Sequence, residues 1–175
     1  EPATPLAGRL TAFAVTPGEE TATVFVAVKR PDGVNVVLRG TAHADTSLRW
    51  LLDPTPLALD ELQPAAEVHT LAAAPGGADL RLWVGQNGHA PRVYALDGGA
   101  PALLGTATLP ERSRGLAVVP HDDGYIAWYG EHESLTAAPT PESSRARTAV
   151  VGRRSADGLT WDPLTPAEDA PAVVT

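Results

Sequence analysis

Short apolar runs broken by proline, glycine or acidic turns recur along this chain, and their order repeats. Residues 10–18 (LTAFAVTPG), 68–76 (VHTLAAAPG) and 115–124 (GLAVVPHDDG) each pair a short apolar strand with a Pro- or Gly-marked turn. Each turn leads into a run rich in β-branched and aromatic residues: 23–28 (TVFVAV), 79–85 (DLRLWVG) and 124–130 (GYIAWYG). Such runs read as strands buried on both faces. A third strand follows a loop in each unit, at 34–39 (VNVVLR), 92–96 (RVYAL) and 147–153 (RTAVVGR). A fourth closes it, at 47–52, 102–109 and 159–164.

Pro17, Pro75 and Pro120 mark the first turn of each unit and lie 58 and 45 residues apart. A period of about 45 residues belongs to propeller blades. The longer first interval holds an insert, residues 53–66 (DPTPLALDELQPAA), whose Leu57, Leu59 and Leu62 suit a short helical turn or an extra loop. Elsewhere Pro, Gly and Thr are too frequent for long helices. The pattern therefore predicts an all-β chain of about three four-stranded antiparallel sheets. The expected division is an N-terminal extension (1–9), a propeller-like domain (10–166; units about 10–53, 67–110 and 114–165) and a C-terminal tail (167–175). A single sheet of this kind must bury its faces against neighbours. Phe25, Trp83 and Trp128, one on each second strand, are expected to be the large residues between blades. Ligand stacking is the alternative for the two tryptophans.

The run Ser155-Ala156-Asp157-Gly158-Leu159-Thr160-Trp161 adds a turn with its own chemistry. Asp157 can accept hydrogen bonds from backbone N–H groups ahead of it, and Gly158 can take positive φ. Thr160 and Trp161 are expected to begin the outer strand, with the indole folded under the turn. The run resembles the Asp-box, or bacterial neuraminidase repeat, in its shorter form Ser-x-Asp-Gly-x-Thr-Trp. Residues 45–50 (DTSLRW) keep the Asp and Trp without the glycine, and residues 97–99 (DGG) keep only a turn. The resemblance implies a sialidase-like propeller whose Asp-boxes serve folding on the face away from any active site. In that family catalysis needs an arginine triad, a Tyr/Glu nucleophile pair and an acid/base Asp, gathered from more blades than this chain supplies. No set of positions here maps onto that constellation.

Three blades do not close a ring, which typically needs four to eight. Open apolar sheet faces are not tolerated in a monomer. Four outcomes stay open: a second copy makes a six-bladed ring, a partner chain completes it, the chain is a fragment, or the three sheets form no ring. Two-fold closure is the commonest symmetry.

Composition narrows the partners. Hydrophobic residues make up 43% and charged residues 19%, a globular balance. The net charge of −8 argues against binding nucleic acid or an anionic membrane. No apolar run approaches the ~20 residues that span a bilayer. The chain has no Cys, so no disulfide, thiolate or Cys-ligated metal is expected. It has no Met either, and it begins Glu1-Pro2-Ala3-Thr4-Pro5, as after a removed signal peptide or lipoprotein anchor. An excised domain would begin the same way. Abundant Ala, Pro, Gly and Arg resemble the output of a high-GC bacterial genome. Together these point to an extracellular or cell-envelope protein.

The histidines at 43, 69, 89, 121 and 132 show no metal-site spacing, and no Gly-x-Ser-x-Gly or H-E-x-x-H is present. No catalytic residue, metal or cofactor is assigned. Glu131-His132-Glu133 could bind a cation or move a proton, set against a solvated loop. His121-Asp122-Asp123-Gly124 reads as a β-turn rather than a calcium loop. Propeller ligands meet the loops between second and third strands and the connectors between blades. That places ligand-binding candidates at Arg30, Asp32, Asn87, His89, Arg112, Arg114, Glu131 and His132. The mixture suits a glycan or a protein surface. The expected function is a secreted or envelope-associated, non-enzymatic binding or scaffold module. The alternative is a sialidase-like glycoside hydrolase completed by another chain, for which Tyr125 or Tyr129 paired with a carboxylate in a central funnel would speak. A third reading is a subunit wedged into a larger envelope complex.

Overall fold

The computed structural model describes residues 7–18, 21–43, 50–52, 56–111, 113–132 and 148–164, and structural statements refer to these. They form twelve strands. The first sheet holds β1 (Arg9–Pro17), β2 (Thr21–Lys29), β3 (Asn35–His43) and β4 (Trp50–Leu52). The second holds β5 (Val68–Gly76), β6 (Asp79–Gln86), β7 (His89–Leu96) and β8 (Ala102–Thr106). The third holds β9 (Arg114–His121), β10 (Gly124–His132), β11 (Thr148–Ser155) and β12 (Asp162–Pro163). Each sheet is an antiparallel meander in chain order, inner strand to outer. The innermost strands stack in sequence, β1 beside β5 and β5 beside β9. The fold is all-β and is that of a partial propeller.

Strand periodicity explains how each sheet serves two neighbours. Ala14, Phe25, Ala27 and Val37 turn one face of the first sheet onto Val68, Leu71, Leu82, Val84, Tyr94 and Leu96 of the second. The opposite face of the second sheet, with Ala72, Ala74, Trp83 and Val93, meets Leu116, Val118, Tyr125, Ala127 and Tyr129 of the third. Two separate cores result, one per joint, and this is why the second strands read as continuously apolar.

A repeat at finer grain appears in the pairing. Each inner strand carries a β-bulge near its start, between Leu10 and Ala12, between Val68 and Thr70, and opposite Trp128 to Gly130. Each second strand opposes its central aromatic to an alanine: Phe25 to Ala14, Trp83 to Ala72 and Trp128 to Ala117.

Two expectations are corrected. Phe25 and Trp83 are fully buried between sheets, but Trp128 is only half-buried. It faces away from the second sheet, its indole laid over Gly152 beside Leu164. Tyr125 and Tyr129 fill the joint in its place. The outer strand of the third sheet is short, because Thr160 and Trp161 stay in the turn and β12 begins at Asp162. Their backbone N–H groups are already taken, by the Asp157 carboxylate and the Thr108 hydroxyl at 2.8 Å each, so neither can enter the ladder. Of the two forms expected for the insert, its described part, residues 56–66, takes the extra loop. Its Leu57, Leu59 and Leu62 pack into the first joint.

Candidate functional site

The two ends of the sheets differ in chemistry. One end carries the first-to-second and third-to-fourth strand turns. There the carboxylate of Asp157 accepts from the N–H groups of Leu159 and Thr160 at 2.8 Å and from the Ser155 hydroxyl at 3.0 Å. Ser155 Oγ in turn accepts the Gly158 N–H at 2.8 Å. The Thr160 N–H foremost, with lesser help from Leu159 and Ser155 and against some burial, holds the Asp157 carboxyl below its usual 3.8. Gly158 sits at φ 74°, and a Cβ there would stand 2.9 Å from the Trp83 ring. Only glycine satisfies both demands.

The turn also stitches two sheets. The Gly158 carbonyl accepts from the indoles of Trp83 and Trp161 at 2.9 and 3.0 Å. Arg81 donates through Nη1 to the Asp157 carbonyl, and its guanidinium carbon lies 5.4 Å from the Tyr125 ring centroid. Trp83 meets Tyr125 edge-on at 5.3 Å. The Ser155 hydroxyl, one Asp157 carboxylate oxygen, the carbonyls of Asp157 and Gly158 and the N–H groups of residues 158–161 are all engaged within the fold. Tyr125 is pushed above its ordinary value of 10.0 by burial. Tyr129 accepts from Arg153 Nε at 3.2 Å. Both tyrosines lie between sheets, not in a central funnel.

The other end gathers the second-to-third strand turns and the connectors, and here polar groups stay exposed. Glu67, the residue before β5, is paired with Arg9 at the start of β1 and with Lys29 Nζ at 3.6 Å at the end of β2. Arg9 and Lys29 side chains are 66% and 36% exposed and Glu67 25%, so a ligand could reach all three. Arg30 and Asp32 follow in the next turn, paired at 3.0 Å, with Asp32 also accepting the Val34 N–H at 3.0 Å. Asn87, exposed in the β6–β7 turn, gives its N–H to the Glu67 carbonyl at 3.0 Å. Arg9, Lys29, Arg30, Asp32, Glu67 and Asn87 thus collect at the inner edge of the first joint.

The insert is what holds this edge. Buried Gln86 binds it three times, accepting from Gln63 N at 2.9 Å and donating to the carbonyls of Gln63 and Ala66 at 2.8 and 2.7 Å. Asn35 Nδ2 donates to the Pro64 carbonyl at 2.8 Å, and Tyr94 to the Asp60 carbonyl at 2.6 Å. Arg92 reaches Glu61 at 3.4 Å. The loop is therefore pinned to both sheets it joins. Burial, reinforced by Glu61 and Asp60 and opposed by Arg92, pushes the Tyr94 hydroxyl up to about 12.

Of the residues expected from sequence, Arg30, Asp32 and Asn87 share this end with the ion pairs. His89 opens β7 half-buried, opposite Gln86. Arg114, Glu131 and His132 lie at the start of β9 and the end of β10, at the same end by topology. Arg112, Glu133 and residues 45–49 lie outside the described residues. His121-Asp122-Asp123 makes a two-residue hairpin turn with Asp122 left-handed at φ 47°. Among the described residues no three His, Asp or Glu converge as a metal site, and no helix is long and apolar enough to cross a membrane. Sequence reading missed Arg9, Lys29 and Glu67. The signal was partly present: Lys29 and Glu67 each border a loop or connector already singled out, and Lys29 is the sole lysine of the chain, whereas Arg9 fell in the expected N-terminal extension.

No protein-family model and no curated protein matches this sequence. Solved structures do. The chain is similar to the Bacteroides ovatus xyloglucan PUL GH43B, with TM-score 0.57 and 12% identity over 93% of this chain and 30% of that one. It is also similar to a structure from Parabacteroides distasonis described as a candidate glycoside hydrolase, with TM-score 0.53 and 15% identity over 90% of this chain and 50% of that one. The chain thus spans only 30% and 50% of the length of these two structures. At such identities the likeness is one of fold: these three sheets are a partial β-propeller of the kind found in glycoside hydrolases.

Proposed function

We propose that this chain is a non-enzymatic, propeller-type binding and scaffold module, exported to the cell exterior or envelope, that recognises a polar partner, foremost a glycan. The observation that carries the reading is the exposed cluster of Glu67, Arg9 and Lys29, with Arg30, Asp32 and Asn87 alongside, at the end opposite the Asp157 turn. A carboxylate flanked by two cations and an amide offers fixed donors and acceptors to sugar hydroxyls or to a charged protein surface. We further propose that the Ser155–Trp161 turn is an Asp-box-type element with a purely structural duty. Most of its hydrogen-bonding groups are engaged within the fold, which supports placing ligand contact at the other end.

A second reading is a glycoside hydrolase whose site another chain completes. It draws on the glycoside hydrolases named among the fold neighbours, and it would need a second carboxylate facing Glu67 across roughly 5–10 Å. A glycan array probed with the labelled protein separates the readings from each other and from a protein-only partner. A binding module is expected to retain unhydrolysed oligosaccharide. Release of reducing sugar on adding a partner chain would favour the enzyme, and an empty array would leave a protein as the partner.

A further inference from the structure

Both joints of the molecule are built in one direction. The leading face of a sheet presents an alanine–aromatic pair, Ala14 with Phe25 or Ala72 with Trp83. The trailing face of the next sheet covers it with aliphatic and tyrosyl side chains, among them Leu71 in the second sheet and Leu116 in the third. The third sheet carries the same leading pair, Ala117 with Trp128. Among the described residues no fourth sheet covers it: Ile126 on this face is buried at 8%, but Ala117 is exposed, Trp128 half-buried, and Val119 and Val150 are 46% and 74% exposed. The first sheet has the matching trailing face. By the same register Phe13 and Val15 stand where Leu71 and Ala73 stand in the second sheet and Leu116 and Val118 in the third. Leu71 and Leu116 are 4% and 5% exposed, whereas Phe13 and Val15 are 65% and 45% exposed. On that face Val24 and Leu38 are already buried at 2% each, so the free strip runs along β1. Inner strands are also where the two existing joints meet, β1 with β5 and β5 with β9.

The structure thus carries both halves of one further blade joint, one at each end, and we infer that a second copy of this chain supplies them. Its β1 face packs on the Ala117–Trp128 face of the first copy and the reverse, head to tail, so that two chains close a six-bladed ring. Exposed aromatic and aliphatic strips of this kind mark interaction surfaces, and two heterologous contacts that close make a symmetric dimer. The inference is independent of any glycan.

Sedimentation of the full chain between about 1 and 100 μM tests it, since these concentrations bracket micromolar affinities. The expected mass is twice the 18.2 kDa of one chain. Phe13→Asp and Val119→Glu alter exposed side chains, and each is expected to halve the mass with an unchanged far-UV CD spectrum. Mixing the two variants is expected to restore the dimer, because such a pair keeps one joint native on both sides. A folded native chain sedimenting at single-chain mass at the highest concentration overturns the inference. So does a dimer that survives either substitution, or a mixture of the two variants that stays monomeric.

Discussion

Trp83 on the second sheet and Trp161 on the third direct their indole N–H groups at one atom, the Gly158 carbonyl oxygen, at 2.9 and 3.0 Å. A carbonyl has two acceptor sites, and here both are filled by buried donors from different sheets. The joint is thereby fixed in register as well as in area. Trp83→Phe keeps most of the buried ring and removes one donor, so urea unfolding should show a loss of about 0.5–1.5 kcal/mol. Trp83→Ala also opens a cavity against Tyr125 and should cost about 3–5 kcal/mol. Equal costs for the two variants would mean that the hydrogen bond, not the ring, dominates.

Asp157 links the same turn to pH. Its carboxyl is held below the ordinary 3.8, first by the Thr160 N–H, so its stabilising effect is present above that value and fades as pH falls through the lower folded pKa. Asp157→Asn should therefore flatten the acid limb of the stability curve below about pH 4. Asp157→Ala should cost about 1–3 kcal/mol at neutral pH by removing the acceptor of the Leu159 and Thr160 N–H groups. Chemical denaturation across pH 2–7 checks both.

Gln86 is 1% exposed and makes three hydrogen bonds to the backbone of the insert. Gln86→Leu should leave the Gln63 N–H and the Ala66 carbonyl without these partners and cost about 2–3 kcal/mol. Amide exchange should speed up at Gln63 in particular. Protection unchanged at that amide would show that Leu57, Leu59 and Leu62 alone hold the loop.

Tyr94 reads out the same loop at high pH. Its hydroxyl, pushed up to about 12 by burial, donates to the Asp60 carbonyl at 2.6 Å. Because the folded pKa lies above the ordinary 10.0, the stabilisation is complete below pH 10 and is lost as pH rises toward 12. In difference absorbance at 295 nm, Tyr94→Phe should remove a late ionising step and leave any step near pH 10 intact.

How much of this was legible in the sequence depends on which interactions are local. The β-branched second strands, the proline- and glycine-marked turns and the Ser155–Trp161 run all encode short-range structure, and the three meanders follow from them. Strand parity was harder to read. A second strand buried on both faces is apolar throughout, so nothing in GYIAWYG tells which side of the third sheet Trp128 takes. The third outer strand was overread because Thr160 and Trp161 suit a strand by propensity, while the Asp157 carboxylate and Thr108 hydroxyl capture their N–H groups. The candidate site was half legible: the turns holding Arg30, Asp32 and Asn87 stand out by composition. Its charged centre joins Arg9 to Glu67 across 58 residues, a contact that only the stacking of two sheets creates.

The most direct test of the account compares the two ends. Affinity for the strongest oligosaccharide on a glycan array would be measured by calorimetry for the native chain, Glu67→Gln and Asp157→Asn. Glu67→Gln changes a solvent-accessible ion pair and should move stability by less than about 1 kcal/mol. Glu67→Gln is expected to weaken binding by about tenfold or more, near 1.4 kcal/mol, while Asp157→Asn is expected to lower stability and leave affinity unchanged. Full affinity in Glu67→Gln with loss of binding in folded Asp157→Asn would contradict both expectations.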